Sequence, residues 1–352
     1  MAQMSIEQLL NFARSKNASD VHLTVGAPTA IRINGELKKF DGMSDEVVQK
    51  TIVSMLSAEQ EQRLGTGVDI DFSFTCASGG RQRVNVYRQN GGKLAAAIRL
   101  LNEHVPSFKD ISLPNAAIEL TKERKGLILV TGPTGSGKST TLATMVDQIN
   151  NTRECHILTI EDPVEYIYEP KKATIHQREI GTDVKTFNDA LRSGLRENPD
   201  VILVGEMRDY ETIRLAITAA ETGHLVLGTL HTTGAAQTIN RIIDVFPSEE
   251  QNQIRSQLSA NLRGVISQLL IPCINQDRGR VAAFEILINN DACANNIRTE
   301  KVHQIEQVMA SNVSTGMRTM NESLKRLARD NVITRDVALT YSPDKEEFRK
   351  ML

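Results

Sequence analysis

An apolar run that breaks into glycines constrains this chain more than any other stretch. Residues 126–141 read G-L-I-L-V-T-G-P-T-G-S-G-K-S-T-T. Leu127 to Val130 form a short apolar block that reads as a buried strand, and Gly132 to Ser139 match the spacing G-x-x-x-x-G-K-[ST]. Gly132, Gly135 and Gly137 can take backbone angles closed to other residues. The N–H groups of Pro133's neighbours, of Thr134 and of Ser136 can therefore turn inward and line an anion-sized concavity. Lys138 brings a point charge for the β- and γ-phosphates, and Ser139 a hydroxyl for Mg2+. A helix entered at Thr140 aims its positive end at the same place. The implied ligand is a nucleoside triphosphate with Mg2+. The loop alone does not separate kinase, switch, helicase and motor.

Composition narrows that choice. The 352 residues suffice for two domains, and 40% hydrophobic content is that of an ordinary globular chain. Lys+Arg 41 against Asp+Glu 43 gives a formal charge of −2, so no global basic excess draws the chain to nucleic acid. Trp is absent and aromatics make up 4%, which argues against stacking platforms for single strands; no nucleic-acid partner is expected. Cys76, Cys155, Cys273 and Cys293 are far apart and form no C-x-x-C pair, so neither a zinc site nor a disulfide framework is expected. The first ten residues lack the pattern of a signal peptide, and no apolar stretch approaches a membrane span. A cytoplasmic location is the expectation.

Along the chain, S-I-E-Q-L-L-N-F-A-R opens with a capping box, Ser5 with Gln8, and places Ile6, Leu9, Leu10 and Ala13 on one helical face. Strands are expected next, among them a hairpin turned by Asn34-Gly35, then V-D-I-D-F-S-F-T-C, R-Q-R-V-N-V-Y-R-Q and K-L-A-A-A-I-R-L-L. Residues 1–105 thus read as a small α+β domain, and the Pro106 to Pro114 region, 106–120, as a linker. From 121 to 352 apolar strands alternate with helical patterns, as in a parallel α/β sheet. The four strands G-L-I-L-V-T-G, C-H-I-L-T-I-E-D, D-V-I-L-V-G-E and H-L-V-L-G-T-L-H all end in polar or glycine residues, where such sheets bind ligands. After Pro247 the spacing of Ile254, Leu258, Leu262, Val265, Ile266 and Leu269 predicts one continuous apolar helical face.

The strand ends carry the remaining candidates. Glu206 follows V-I-L-V-G, where a strand-end carboxylate beside a phosphate loop can hold Mg2+ or its waters. Glu161, Asp162 and Glu165 cluster after another strand, and one of them could orient or deprotonate an attacking water. His224 and His231 flank L-V-L-G-T-L, and either could sense a γ-phosphate by hydrogen bonding.

Taken together, S-D-V-H-L at 19–23, G-P-T-G-S-G-K-S-T, I-E-D-P-V-E-Y, E-N-P-D-V-I-L-V-G-E-M-R-D, E-T-G-H-L-V-L-G-T-L-H-T-T and R-V-A-A-F-E-I-L at 280–287 resemble, in order and over nearly the whole length, the type IV pilus retraction ATPases, the PilT-like branch of the secretion ATPases. The resemblance implies a PAS-like N-terminal domain, a RecA-like ATPase domain with C-terminal helices, and a homohexameric ring. It implies ATP hydrolysis coupled to pilin depolymerisation and twitching motility, at the inner-membrane base of the pilus, with a pilus-base protein and a paralogous motor as partners. It assigns Glu165 as catalytic glutamate, Glu206 as Walker B acid and His224 and His231 as the His box. Arg81, Arg83 and Arg99 fall where the family's N-terminal domain supplies arginines to the phosphates. A planar, permanent cation there would stabilise transition-state charge.

One stretch departs from the family. Where retraction motors resemble one another at A-I-R-N-L-I-R-E, residues 292–299 read A-C-A-N-N-I-R-T, differing at Cys293, Ala294, Asn296 and Thr299. In the family this helix is linked to retraction in cells rather than to ATP turnover. The rival readings are a pilus assembly or type II secretion ATPase, whose zinc-binding cysteine insertion has no counterpart here, and a nucleotide-dependent regulator of a partner motor.

Overall fold

The computed structural model describes residues 5–33, 35–40, 43–76, 80–101, 104–275 and 279–351. The chain divides into two compact units, Met1–His104 with Pro163–Ile167, and Val105–Asp162 with Tyr168–Leu352.

The first unit starts with α1 (Ile6–Ser15), whose Ser5 Oγ accepts from Gln8 N at 3.2 Å while Gln8 Oε1 accepts from Ser5 N at 2.9 Å, so two end donors are satisfied reciprocally. It buries Leu9, Leu10 and Ala13. There follow β1 (Ala18–Thr24), β2 (Thr29–Ile33), β3 (Glu36–Phe40), α2 (Asp45–Val53), α3 (Ala58–Gly65), β4 (Ile70–Thr75), β5 (Arg81–Gln89) and β6 (Lys93–Leu100). The strands pair antiparallel in the order β3-β2-β1-β6-β5-β4. The β2–β3 turn includes Gly35 at φ 87°, an angle glycine takes without strain; Asn34, expected as its partner, lies outside the described residues. Alternation along β5 sends Gln82, Val84 and Val86 inward and leaves Arg81 and Arg83 on the other face. Val21, Leu23, Ile52 and Ile98 complete the core beneath.

The second unit runs α4 (Asn115–Leu120), β7 (Gly126–Thr131), α5 (Lys138–Thr152), β8 (His156–Glu161), β9 (Thr174–Glu179), α6 (Phe187–Gly194), β10 (Val201–Val204), α7 (Tyr210–Glu221), β11 (Leu225–Leu230), α8 (Ala235–Asp244), α9 (Ser248–Asn261), β12 (Leu262–Pro272), β13 (Arg280–Ile288), α10 (Asp291–Arg298), α11 (Ile305–Ser311), α12 (Met320–Arg329), α13 (Arg335–Tyr341) and α14 (Lys345–Met351). Its sheet has the order β13-β12-β7-β11-β10-β8-β9, parallel except for the β12–β13 pair. Every residue of β7, β10 and β11 is buried, which is why these strands read as unbroken apolar runs. Register aligns their carboxyl ends: Thr131 lies beside Leu230, and Val204 beside both Gly228 and Ile160. Leu127, Leu129, Ile202, Val204 and Val226 share one core with residues of α6 through α11. The C-terminal helices close a second core, in which Met320, Leu324, Ile333, Ala338 and Phe348 meet Ile271, Val281 and Ala283.

The helical face expected to run from Ile254 to Leu269 is corrected by this sheet. The helix stops at Asn261, and Leu262–Pro272 is a strand pairing with β7 on one side and β13 on the other. A strand buried on both faces shows no alternation, so its apolar spacing imitates a helix. Residues 106–120, expected as a linker, hold α4 and group with the second unit.

Candidate active site

The loop after β7 has the backbone its glycines suggested, with Gly132, Gly135 and Gly137 at φ 143°, 76° and 91°. At Gly132 no side chain fits, since a Cβ would run into the Gln268 carbonyl and would stand 2.7 Å from Ser136 Oγ. Lys138, the first residue of α5, donates through Nζ to Gly132 O at 2.9 Å and Pro133 O at 3.1 Å, so the cation rests on the carbonyls of the loop it serves. Ser139 and Thr140 follow in the first turn.

Beside the loop, β10 ends at Val204 and hands the chain to Gly205 and Glu206. Gly205 N donates to Ile160 O at 2.8 Å, and Thr229 Oγ1 donates to Gly205 O at 2.5 Å, which pins this strand end to both neighbours. Glu206 Oε1 accepts from His231 Nε2 at 2.7 Å and from Arg208 Nε. Burial pushes the Glu206 carboxyl up, but the hydrogen bond and charge of Arg208, with His231 adding to them, outweigh this and hold it below the usual glutamate value. His231 Nδ1 stands 3.5 Å from Thr134 Oγ1 of the phosphate loop. With Nε2 on Glu206 and Nδ1 toward the threonine hydroxyl, Thr134, His231 and Glu206 form one line. A cavity of about 340 Å³ opens beside Glu206, lined by that residue with Arg208, Asp162 and Asp209 among others.

The other candidates stand on other segments of the chain. His224 precedes β11 at its amino end, where Nδ1 meets Ala219 O at 2.9 Å and Thr222 Oγ1 at 3.3 Å. The length of β11 therefore separates it from His231. Glu165 is half-buried in the Pro163–Ile167 segment, which groups with the first unit. Arg81 holds that segment, donating through Nε to Val164 O at 2.7 Å and through Nη2 to Ser73 Oγ at 2.6 Å. Arg83 makes a two-pronged pair with Asp71 at 2.6 and 3.3 Å. Arg99, opposite Arg83 in register, pairs with Asp20 at 3.2 Å. Of the other acids, Glu161 accepts from Thr159 Oγ1 at 2.7 Å.

Sequence reasoning missed four contributors. Arg208 is one, a basic neighbour two positions beyond Glu206. The others sit on β12 and β13. Gln268 reaches the phosphate loop, while Ser267 Oγ accepts from Gly234 N at 2.8 Å and Glu285 Oε1 from Ala235 N at 2.7 Å, fixing the turn after His231. Burial pushes the Glu285 carboxyl up, against the two backbone N–H groups, those of Ala235 and Met320, that it accepts. The available signal was polar residues inside apolar strands, since buried polar groups need partners.

The residues fit a nucleotide and its divalent cation. At Gly132 the cradle admits backbone and nothing larger, and the buried Ser136 Oγ has no hydrogen-bond partner. Ser139 and an ionised Glu206 are hard oxygen donors of the kind Mg2+ takes together with phosphate and water.

Comparison with known proteins supports the same reading. Residues 2–339 match the family described as type II/IV secretion system protein. The chain is 46% identical to PilT, the type IV pilus retraction ATPase of Pseudomonas aeruginosa, over 98% of this chain and all of that one. It is 46% identical to a twitching motility protein of Neisseria gonorrhoeae over 90% of this chain and 85% of that one. Among solved structures, the pilus retraction motor PilT with bound ADP superposes with a TM-score of 0.92 at 48% identity, covering 99% of each chain. The matched length and the identities place this chain in the type II/IV secretion system protein family.

Proposed function

We propose that this chain hydrolyses ATP to drive retraction of a type IV pilus, acting as a homohexamer at the cytoplasmic side of the inner membrane with a pilus-base protein. The observation that carries the reading is the line from Thr134 through His231 to Glu206, which ties the phosphate loop to the strand-end acid. The likeness to PilT, named a retraction ATPase in Pseudomonas aeruginosa, supplies the mechanical output.

In this reading the N–H groups of Gly132 and of residues 134–140 hold the phosphates, and Lys138 turns from its own loop carbonyls toward them. Ser139 and Glu206 would hold Mg2+, which would supply neutralisation of the charge that develops on the phosphate oxygens. Glu165 takes the proton of the attacking water, and His231, joined to both Thr134 and Glu206, reports the state of the γ-phosphate. Arg81, Arg83 and Arg99 are assigned a supply of cationic charge to the phosphates by the likeness to the retraction ATPases alone.

The test has a biochemical and a cellular arm. Purified Glu165→Gln protein should bind nucleotide as the wild type does and turn over at least about 100-fold more slowly, the usual scale for losing a general base. A strain lacking the gene should carry excess pili and fail to twitch. Wild-type turnover in Glu165→Gln removes that residue from catalysis, and loss of pili in the deletion strain turns the reading toward an assembly ATPase.

A further inference from the structure

The back wall of the phosphate loop is made by one residue that no nucleotide-binding motif contains. β12 pairs with β7 in parallel, Ser267 opposite Thr131, which puts Gln268 level with the start of the loop. Gln268 is 1% exposed. It touches the loop at three points. Its backbone carbonyl lies where a Cβ of Gly132 would sit. Its amide nitrogen donates to Ser136 O and stands 3.0 Å from where a Cβ of Gly137 would sit. Its amide oxygen accepts from Thr141 Oγ1, in the first turn of α5, at 2.7 Å. One planar amide thus spans the loop's crest and the helix that follows, while the backbone carbonyl of the same residue excludes a side chain at Gly132.

We propose that Gln268 is the positioning residue of the phosphate loop: by holding Ser136 O from one side and Thr141 from the other, it keeps the loop's N–H groups facing the phosphates before nucleotide arrives. The proposal rests on the nucleotide-hydrolysis reading above and extends it to a residue 130 positions along the chain from Lys138. The reasoning is geometric. A loop of glycines has many accessible conformations, and binding must select one of them, so a brace that already selects it lowers the ordering cost of binding. Because Gln268 contacts loop and helix rather than the reacting atoms, the interaction is the same in the ground state and the transition state. Its loss therefore shows in KM and nucleotide affinity rather than in kcat. Ser136 O, once unpaired in a site that excludes solvent, would have reason to turn, and its peptide N–H partners would turn with it.

The experiment uses the full chain. Gln268→Met keeps length and burial but neither donates nor accepts. Thr141→Val keeps shape and loses the hydroxyl; Thr141→Ser keeps the hydroxyl. We expect Gln268→Met to raise KM for ATP, and the dissociation constant of a fluorescent ADP analogue, about 10-fold or more, with kcat at saturation within about threefold of wild type, as expected for loss of two hydrogen bonds. Thr141→Val should reproduce part of this, the double variant should fall short of the sum, and Thr141→Ser should sit near the wild type. A purely structural residue would instead lower the melting temperature and the fraction of active protein while leaving KM of that fraction unchanged, and such a result overturns the proposal. Full additivity of Gln268→Met and Thr141→Val overturns it as well. If the wild-type chain binds no ADP analogue, the nucleotide reading itself fails; if wild type and Gln268→Met bind it equally, only the role of Gln268 does.

Discussion

The two ends of β11 carry one histidine each, and the two have opposite fates. His231, after the carboxyl end, is linked to the phosphate loop and to an ionised acid. His224, before the amino end, closes the turn that leaves α7, with its ring on Ala219 O and its backbone O accepting from Gly126 N at 3.0 Å. The same contrast extends along the sheet. The carboxyl ends of β7, β8 and β10 present the glycine loop, Asp162 and Glu206, while the amino end of β8 presents His156, which stacks its own hydrogen bond onto His176 at 2.9 Å. Direction along a parallel strand, rather than residue type, decides which polar side chains meet the ligand.

That contrast can be tested by substitution at either end. The largest effect is expected at the loop itself. Lys138→Ala removes a charged donor to phosphate and should weaken nucleotide binding about 100-fold, read by titration with a fluorescent analogue. Retained binding would mean that the carboxyl edge is not where nucleotide sits.

Next comes the acid. Arg208 holds the Glu206 carboxyl low against its burial, so Arg208→Ala should let it rise. Because the folded value lies below the ordinary one, the benefit of the ionised state is present above the usual glutamate range and is lost as pH falls through the lowered value. The acid limb of the ATPase profile should therefore lie below that range in wild type and move to higher pH in Arg208→Ala. An unmoved limb would detach Glu206 from the rate.

At the amino end, His224→Ala should leave ATP affinity within about twofold and cost about 1 kcal/mol of stability, the ordinary value of a lost hydrogen bond, read as a lower melting temperature. A collapse of turnover with the fold intact would make the two ends of β11 equals after all.

The smallest effect in the tube is expected in α10. Ala294→Arg with Asn296→Leu restores the residues that the retraction motors share, and ATPase activity should stay within about twofold while pilus number or twitching changes. The structure sharpens this test, because Cys293 and Ile297 of the same helix belong to the core that also holds Leu129 and Val204 of the site-bearing strands, and Asn296 is only 8% exposed. A large loss of activity with assembly unchanged would show that α10 acts on hydrolysis through that core.

The strands that carry the site were legible because each is an apolar run ended by a residue with an obvious chemical task, as at Val204-Gly205-Glu206. The phosphate loop was legible because its glycines are needed for backbone angles, and φ values from 76° to 143° occur there. β12 and β13 were not, since burial on both sides erases the period-2 signal that separates strand from helix. β9 escaped for the opposite reason: T-I-H-Q-R-E is a polar sheet-edge strand with little apolar content to mark it. Gln268 and Glu285 were invisible as site residues because their partners lie far off in sequence, at Ser136 and Ala235, and only pairing of β12 with β7 and β13 brings them there. The different placements of His224 and His231 were not legible, because two histidines around one short strand look equivalent until the strand has a direction.

The Pro163–Ile167 segment carries a consequence for how the chain can be divided. Five residues that follow β8 in sequence are grouped with the first unit, and Arg81 holds one of their carbonyls. The polypeptide thus passes from one unit to the other three times, after residues 104, 162 and 167. Such a chain is not two beads on a string. No single proteolytic cut separates the halves with each intact, and a fragment ending at residue 104 would leave Arg81 without Val164. A chimaera that exchanges the first unit between relatives would have to exchange this loop, Glu165 included, as part of the same graft.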